Sequence, residues 1–143
     1  MELIGQYVFD APVERVWDLL MDPKTIASCV PGCKEFKALG KDQYRIVLSA
    51  AVAAVSGSFT GTVSIVDVRP QVSYVLHIEG KGAPGFANGS VLITLTPREH
   101  DVSVDVAGSV TIGGVVAQVG QRLLGATARM MMEKFFKCLQ GKL

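Results

Sequence analysis

Apolar and polar positions alternate from Leu3 to Phe9, and with their β-branched content they predict a strand. Asp10-Ala11-Pro12 follows, an Asp suited to capping and a Pro suited to a first helical turn. Val13, Val16, Trp17 and Leu20 then recur at helical spacing with Glu14, Arg15 and Asp18 opposite, which predicts an amphipathic helix from about Pro12 to Leu20. Asp22-Pro23 restarts a short helix through about Ser28, and Val30-Pro31-Gly32 ends it as a turn.

From Cys33 onward the period falls to two. Strands are expected at about Lys34–Leu39, Gln43–Ala53, Gly57–Val68, Val72–Lys81, Phe86–Thr96 and Val102–Ile112. Their connectors are short and turn-like, for example Gly40-Lys41-Asp42 and Arg69-Pro70-Gln71, so neighbours should run antiparallel in a meander. After Gly113-Gly114 helical spacing returns from about Val115 to Leu139, with Val116, Val119, Leu123, Thr127, Met130, Met131, Phe135 and Cys138 along one side. A helix of about 25 residues is roughly 37 Å long and matches a strand of about ten residues at roughly 33 Å. The expected fold class is therefore α+β: one domain, residues 1–143, with an antiparallel sheet wrapped around the long C-terminal helix.

The alternation assigns Ile46, Leu48, Phe59, Val63, Leu76, Ile78, Val91, Ile93, Val104 and Val110 to the inner face of that sheet. Thr60, Thr62, Ser64, His77, Glu79, Asn88, Ser90, Asp105 and Ser109 fall on the outer, wet face. The inner set includes small residues, Ala50, Gly61, Ala87, Gly89 and Gly108, and the helix adds Gly120, Gly125, Ala126 and Ala128. Two readings stay open: bends in a strongly curved sheet, or a cavity. An empty apolar void of roughly 300 Å³ would cost on the order of 7 kcal/mol, comparable with a whole domain's stability, so a sizeable cavity calls for an occupant.

Composition narrows the partners. With 143 residues, 49% of them hydrophobic, and a formal charge of +1, the chain can bury a core and carries no electrostatic footprint for nucleic acid. No apolar run has the ~20 residues of a membrane span and no secretory leader is recognisable, so a cytoplasmic protein is expected. Three cysteines, Cys29, Cys33 and Cys138, favour free thiols in a reducing compartment.

Catalytic or metal chemistry finds little support. Zinc needs about four ligands, and no histidine neighbours Cys29 and Cys33, so no metal is expected. His77 belongs to the outer face and His100 to a charged turn. Of the groups able to titrate near the inner face, Tyr44 and Tyr74 are the nearest. Gly113-Gly114 lacks a P-loop lysine and the dinucleotide-binding spacing, so no cofactor is expected and the pair reads as a hinge. Arg122 and Arg129 share a solvated helix face.

Several stretches together resemble the G-subunit family of carbon monoxide dehydrogenases, within the START-like (SRPBCC, helix-grip) superfamily. They are Gly5 to Ala11-Pro12 with Val16-Trp17 and Asp22-Pro23, the Cys29-Val30-Pro31-Gly32-Cys33 turn, Phe59-Thr60-Gly61, and Gly113-Gly114 through Ala117-Gln118-Val119-Gly120-Gln121-Arg122-Leu123 to Phe135-Phe136. The resemblance implies a seven-stranded antiparallel sheet gripping the last helix, two short helices after the first strand, and a deep apolar cavity between sheet and helix. It also implies a non-catalytic partner of a carbon monoxide dehydrogenase-type molybdenum hydroxylase, linked to that enzyme's membrane recruitment or maturation and peripheral to the inner membrane face.

By analogy with other helix-grip proteins, the ligand would be lined by Val55, Phe59, Phe86, Val91, Val110, Ile112, Val116, Val119, Leu123 and Thr127. The expected function is binding of an apolar small molecule, a lipid or isoprenoid quinone, without chemistry on it. Two alternatives remain: a docking or maturation partner of the enzyme, and a cyclase or dehydratase acting through Tyr44 or Tyr74.

Overall fold

The computed structural model describes residues 1–52 and 55–143, the side chains at 50–52 and 55 excepted. The elements run β1 (Glu2–Phe9), α1 (Val13–Met21), α2 (Pro23–Cys29), β2 (Cys33–Gly40), β3 (Gln43–Val52), β4 (Val55–Arg69), β5 (Ser73–Gly82), β6 (Gly85–Pro97), β7 (Val102–Gly113), a 3₁₀ helix (Val115–Val119) and α3 (Gln121–Gln140). The seven strands form one sheet in the order β1-β7-β6-β5-β4-β3-β2, with every neighbouring pair antiparallel. Helices α1 and α2 carry the chain from the β1 edge to the β2 edge, after which the meander returns strand by strand to β1.

The short helices start by different means. Asp22 caps α2: its carboxylate accepts from the Lys24 N–H at 3.2 Å and from the Thr25 hydroxyl at 2.7 Å, and Pro23 fills the first turn. Asp10 does not cap α1. Pro12 stands at that position and offers no side-chain hydrogen bond, so α1 begins one residue later than expected, at Val13.

The last helix is shorter than its apolar spacing predicts. Gly120 has φ +94°, a conformation that L side chains rarely adopt, and it separates the 3₁₀ turn Val115–Val119 from α3. Within α3 the 3.6-residue spacing sets the buried face. The inner face of α3 is Leu124, Ala128, Met131, Phe135 and Leu139, while Leu123 and Met130 are exposed.

Packing is uneven along the sheet. Phe9, Val16, Leu20, Ile93, Leu95, Val102, Val104, Phe136 and Leu139 form a dense core where α1, α2 and the C-terminal half of α3 meet the sheet. Tyr7 stacks on Phe136 with ring centroids 4.2 Å apart, and Trp17 meets Tyr74 edge-on at 5.6 Å. A disulfide joins Cys29 at the end of α2 to Cys138 near the end of α3, with Cα atoms 5.4 Å apart, so the expectation of three free thiols is overturned. The two cysteines lie 109 residues apart in sequence, and only the tertiary crossing of α2 and α3 brings them together. Among the described residues Cys33 keeps a free thiol, which donates to the Glu35 carbonyl at 3.4 Å.

Candidate apolar cavity

Away from that core, between the N-terminal half of α3 and strands β3 to β7, the structure forms an apolar cavity of about 200 Å³, open on one side. One cross-strand row explains it. Ile46 pairs with Gly61, Gly61 with Gly80, Gly80 with Ala87 and Ala87 with Ile112, so five strands contribute two glycines and an alanine between two isoleucines. The middle of the sheet beneath α3 therefore lacks bulk. Leu48, Phe59 and Ile78 border the row on the sheet, Val116 and Leu124 lie above it, and Thr127, Ala128 and Met131 continue the roof along α3. Pro84 and the half-exposed Phe86 stand at the mouth.

The glycines have distinct causes. A Cβ on Gly61 would strike the Glu79 carbonyl and come within 2.7 Å of the Gly80 Cα, so Gly61 permits close approach of β4 and β5. A Cβ on Gly80 would meet only the Thr60 oxygen at 3.9 Å, so the space above it is free. Gly89 and Gly108 serve the bend instead: a Cβ on either would strike the backbone of the facing strand, Ser109 and Val110 or Ser90 and Val91. Both readings of the small residues therefore apply, at different rows.

The structure brings Phe59, Phe86, Ile112, Val116 and Thr127 to the cavity. Val91 and Val110 are buried elsewhere, their methyls leaning over the space that Cβ atoms on Gly108 and Gly89 would occupy. Val119 sits on the 3₁₀ turn off the lining, and Leu123 is 47% exposed, one position before the face that Leu124, Ala128 and Met131 share. The side chain of Val55 lies outside the described residues. The sequence reading missed Gly80, Leu124 and Met131 as lining residues. Gly80 was legible by counting two residues on from Ile78, and Leu124 by counting seven back from Met131, a spacing that the stripe through Leu123 passed over.

Thr127 is the polar side chain on the lining among the described residues; Glu79 alternates with Ile78 and Gly80, which sends its carboxylate to the outer face. Neither Tyr44 nor Tyr74 lines the cavity. Tyr44 stacks on Phe36 with centroids 4.8 Å apart, and Tyr74 lies in the packed core, where burial pushes its phenol far above the ordinary value. His77 is on the outer face, its Nδ1 2.6 Å from the Ser90 hydroxyl oxygen. A shallower groove of about 490 Å³ borders the Pro97–Val102 turn, which an Arg98–Asp101 ion pair holds at 2.6 Å. Among the described residues no three His, Cys, Asp or Glu side chains are placed to hold a metal, and no helix is long and apolar enough to cross a membrane.

The sequence matches the CoxG family, the G subunits of carbon monoxide dehydrogenase, over residues 5–143. A search of curated proteins gives no match. Among solved structures, a conserved protein from Geobacillus kaustophilus is 35% identical with a TM-score of 0.95, covering 99% of this chain and 94% of that one. A START superfamily protein from Mycobacterium smegmatis superimposes with a TM-score of 0.75 at 13% identity, over 99% of this chain and 95% of that one. An aromatase/cyclase from a Streptomyces species gives a TM-score of 0.66 at 13% identity, over 99% and 92%. The last two likenesses establish the fold alone. By the family match along nearly its whole length, the chain belongs to the CoxG family of carbon monoxide dehydrogenase G subunits.

Proposed function

We propose that this protein is a non-catalytic carrier that holds an apolar small molecule, an isoprenoid quinone or a lipid tail, beneath the N-terminal half of α3, and that it serves a carbon monoxide dehydrogenase-type molybdenum hydroxylase. The observation that carries this reading is the Gly61–Gly80–Ala87 row, which leaves an apolar space where a packed domain would place side chains. The space is apolar and open on one side, so water that enters it finds few hydrogen-bond partners, and an apolar occupant that displaces it stabilises the fold by mass action.

The volume limits the occupant. Ligand pockets usually offer about 300–1,000 Å³, so this one accepts a ring or a short run of chain, with the remainder leaving past Phe86. Among the described residues the lining turns no titratable side chain inward, Glu79 alternating to the outer face, and this supports carriage over general acid-base chemistry. The test is incubation with phosphatidylglycerol vesicles doped with an isoprenoid quinone, followed by removal of the vesicles. Close to one quinone per chain in the protein fraction is expected; quinone and acyl species that remain wholly with the vesicles would overturn the reading.

The family match keeps a second reading in view, in which the protein docks on the enzyme and the cavity is incidental. Pull-down of the hydroxylase separates the two. A docking partner captures the enzyme equally well with the cavity filled by substitution, whereas a carrier so blocked loses quinone delivery.

A further inference from the structure

The outer face of the sheet is not uniformly polar. Val66 pairs with Val75, Val75 with Leu92, Leu92 with Ala107 and Ala107 with Ile4, which lays one apolar row across β4, β5, β6, β7 and β1. Ile4 is 68% exposed and Leu92, the middle member, 43%. Among the described residues no other element covers Ile4 or Leu92, and contiguous apolar patches on an outer sheet face mark interaction sites.

We infer that this face is the interface of a homodimer, with a second copy of the chain stacked sheet on sheet about a two-fold axis through Leu92. The flanking rows fit a copy of themselves. They are rich in hydroxyls, Ser64, Ser90 and Ser109 on one side and Ser73 and Thr94 on the other, and a hydroxyl both donates and accepts, so it can face its own kind. The charges avoid like-on-like contact when the axis runs along β6, so that each strand stacks parallel to its counterpart. Glu2 faces the second copy's Ser64, Asp105 faces its Ser73, and Arg69 faces its Gln6. Volumes match as well, Ala107 lying against the second copy's Val75 and Ile4 against its Val66. A membrane surface fits less well, because the row and its two flanks hold a single basic side chain other than His77.

Area agrees with a weak, concentration-dependent pair. Five strands about 4.8 Å apart and the three rows about 6.8 Å apart give a footprint on the order of 500 Å² on each copy, at the low end of specific interfaces. The cavity lies on the opposite face of the same sheet, so the pair leaves both mouths free.

Sedimentation equilibrium over micromolar to submillimolar concentrations tests this. The expected species has twice the 15.2 kDa chain mass, and the exposed pair of substitutions Ile4→Lys and Leu92→Lys should raise the dissociation constant at least about a hundredfold with an unchanged circular dichroism spectrum. A second variant does not depend on charge being tolerated. In a Cys33→Ser background, Leu92→Cys on the axis should cross-link to a covalent dimer under mild oxidation, while off-axis Thr62→Cys should not. A wild-type chain that stays at 15.2 kDa throughout, a dimer indifferent to both lysines, or a monomer that binds lipid vesicles through Leu92 would each overturn the inference.

Discussion

Gly61 on β4 and Gly80 on β5 stand opposite one another in the sheet register, yet only Gly80 has room above it. Their equal chemistry and unequal surroundings separate cavity from fold. Gly80→Val should project into the free space, keep or raise stability by up to about 1 kcal/mol through the gain in strand propensity, and lower uptake of phenylnaphthylamine at least about tenfold. Gly61→Val, aimed at the Glu79 backbone, should instead cost more than about 2 kcal/mol. Urea midpoints and fluorescence titration of both variants check the pair. Equal destabilisation by the two would remove the distinction.

The bridge from Cys29 to Cys138 ties the C-terminal end of α3 to α2 and closes a long loop, restricting the unfolded chain. Cys138→Ala should therefore lower stability by about 2–4 kcal/mol. Because the bridge belongs to the densely packed end, uptake by the folded variant should be unchanged. Denaturation with and without a dithiol reductant, on the wild type and the variant, reads the effect; a reductant-insensitive wild type would contradict it.

Asp22 gives a pH dependence of known sign. The Thr25 hydroxyl, foremost, and the Lys24 N–H hold its carboxyl below the ordinary range. A depressed folded pKa means that the contribution is full above the unfolded value, about 4, and fades as pH falls through the lower folded value. The urea-midpoint gap between wild type and Asp22→Ala should thus be widest at neutral pH and close on acidification below about pH 4. A gap that widened in acid would contradict the cap.

Ser103 on β7 is buried, and its hydroxyl has no hydrogen-bond partner among the described residues. Ser103→Ala removes a desolvated polar atom without leaving another unpaired, so stability should rise by about 1 kcal/mol. A lower Tm for the variant would reveal a partner for that hydroxyl.

The strands were legible because their inner residues keep a strict period of two: Ile46, Leu48, Phe59, Ile78 and Ile112 all stand where alternation placed them. The single-row cause of the cavity was less so, since Gly61 and Gly80 become neighbours only through the β4–β5 register. Two features escaped local reading for a physical reason. Gly120 looks like any tolerated helical glycine until its φ is known, so the end of the long helix at that point was hidden. The Cys29–Cys138 contact depends on where α3 crosses α2, which no spacing rule encodes. The apolar row on the outer face was likewise hidden, because Ile4, Ala107, Leu92, Val75 and Val66 are isolated apolar residues in five separate strands.

Native mass spectrometry of the wild type and Gly80→Val, each freshly purified and organically extracted, tests the central claim most directly. The expected result is one isoprenoid or acyl species per wild-type chain and none on Gly80→Val. A wild-type chain that flies without cargo after incubation with quinone and lipid extracts, or cargo retained equally by both, would contradict a ligand seated over Gly80.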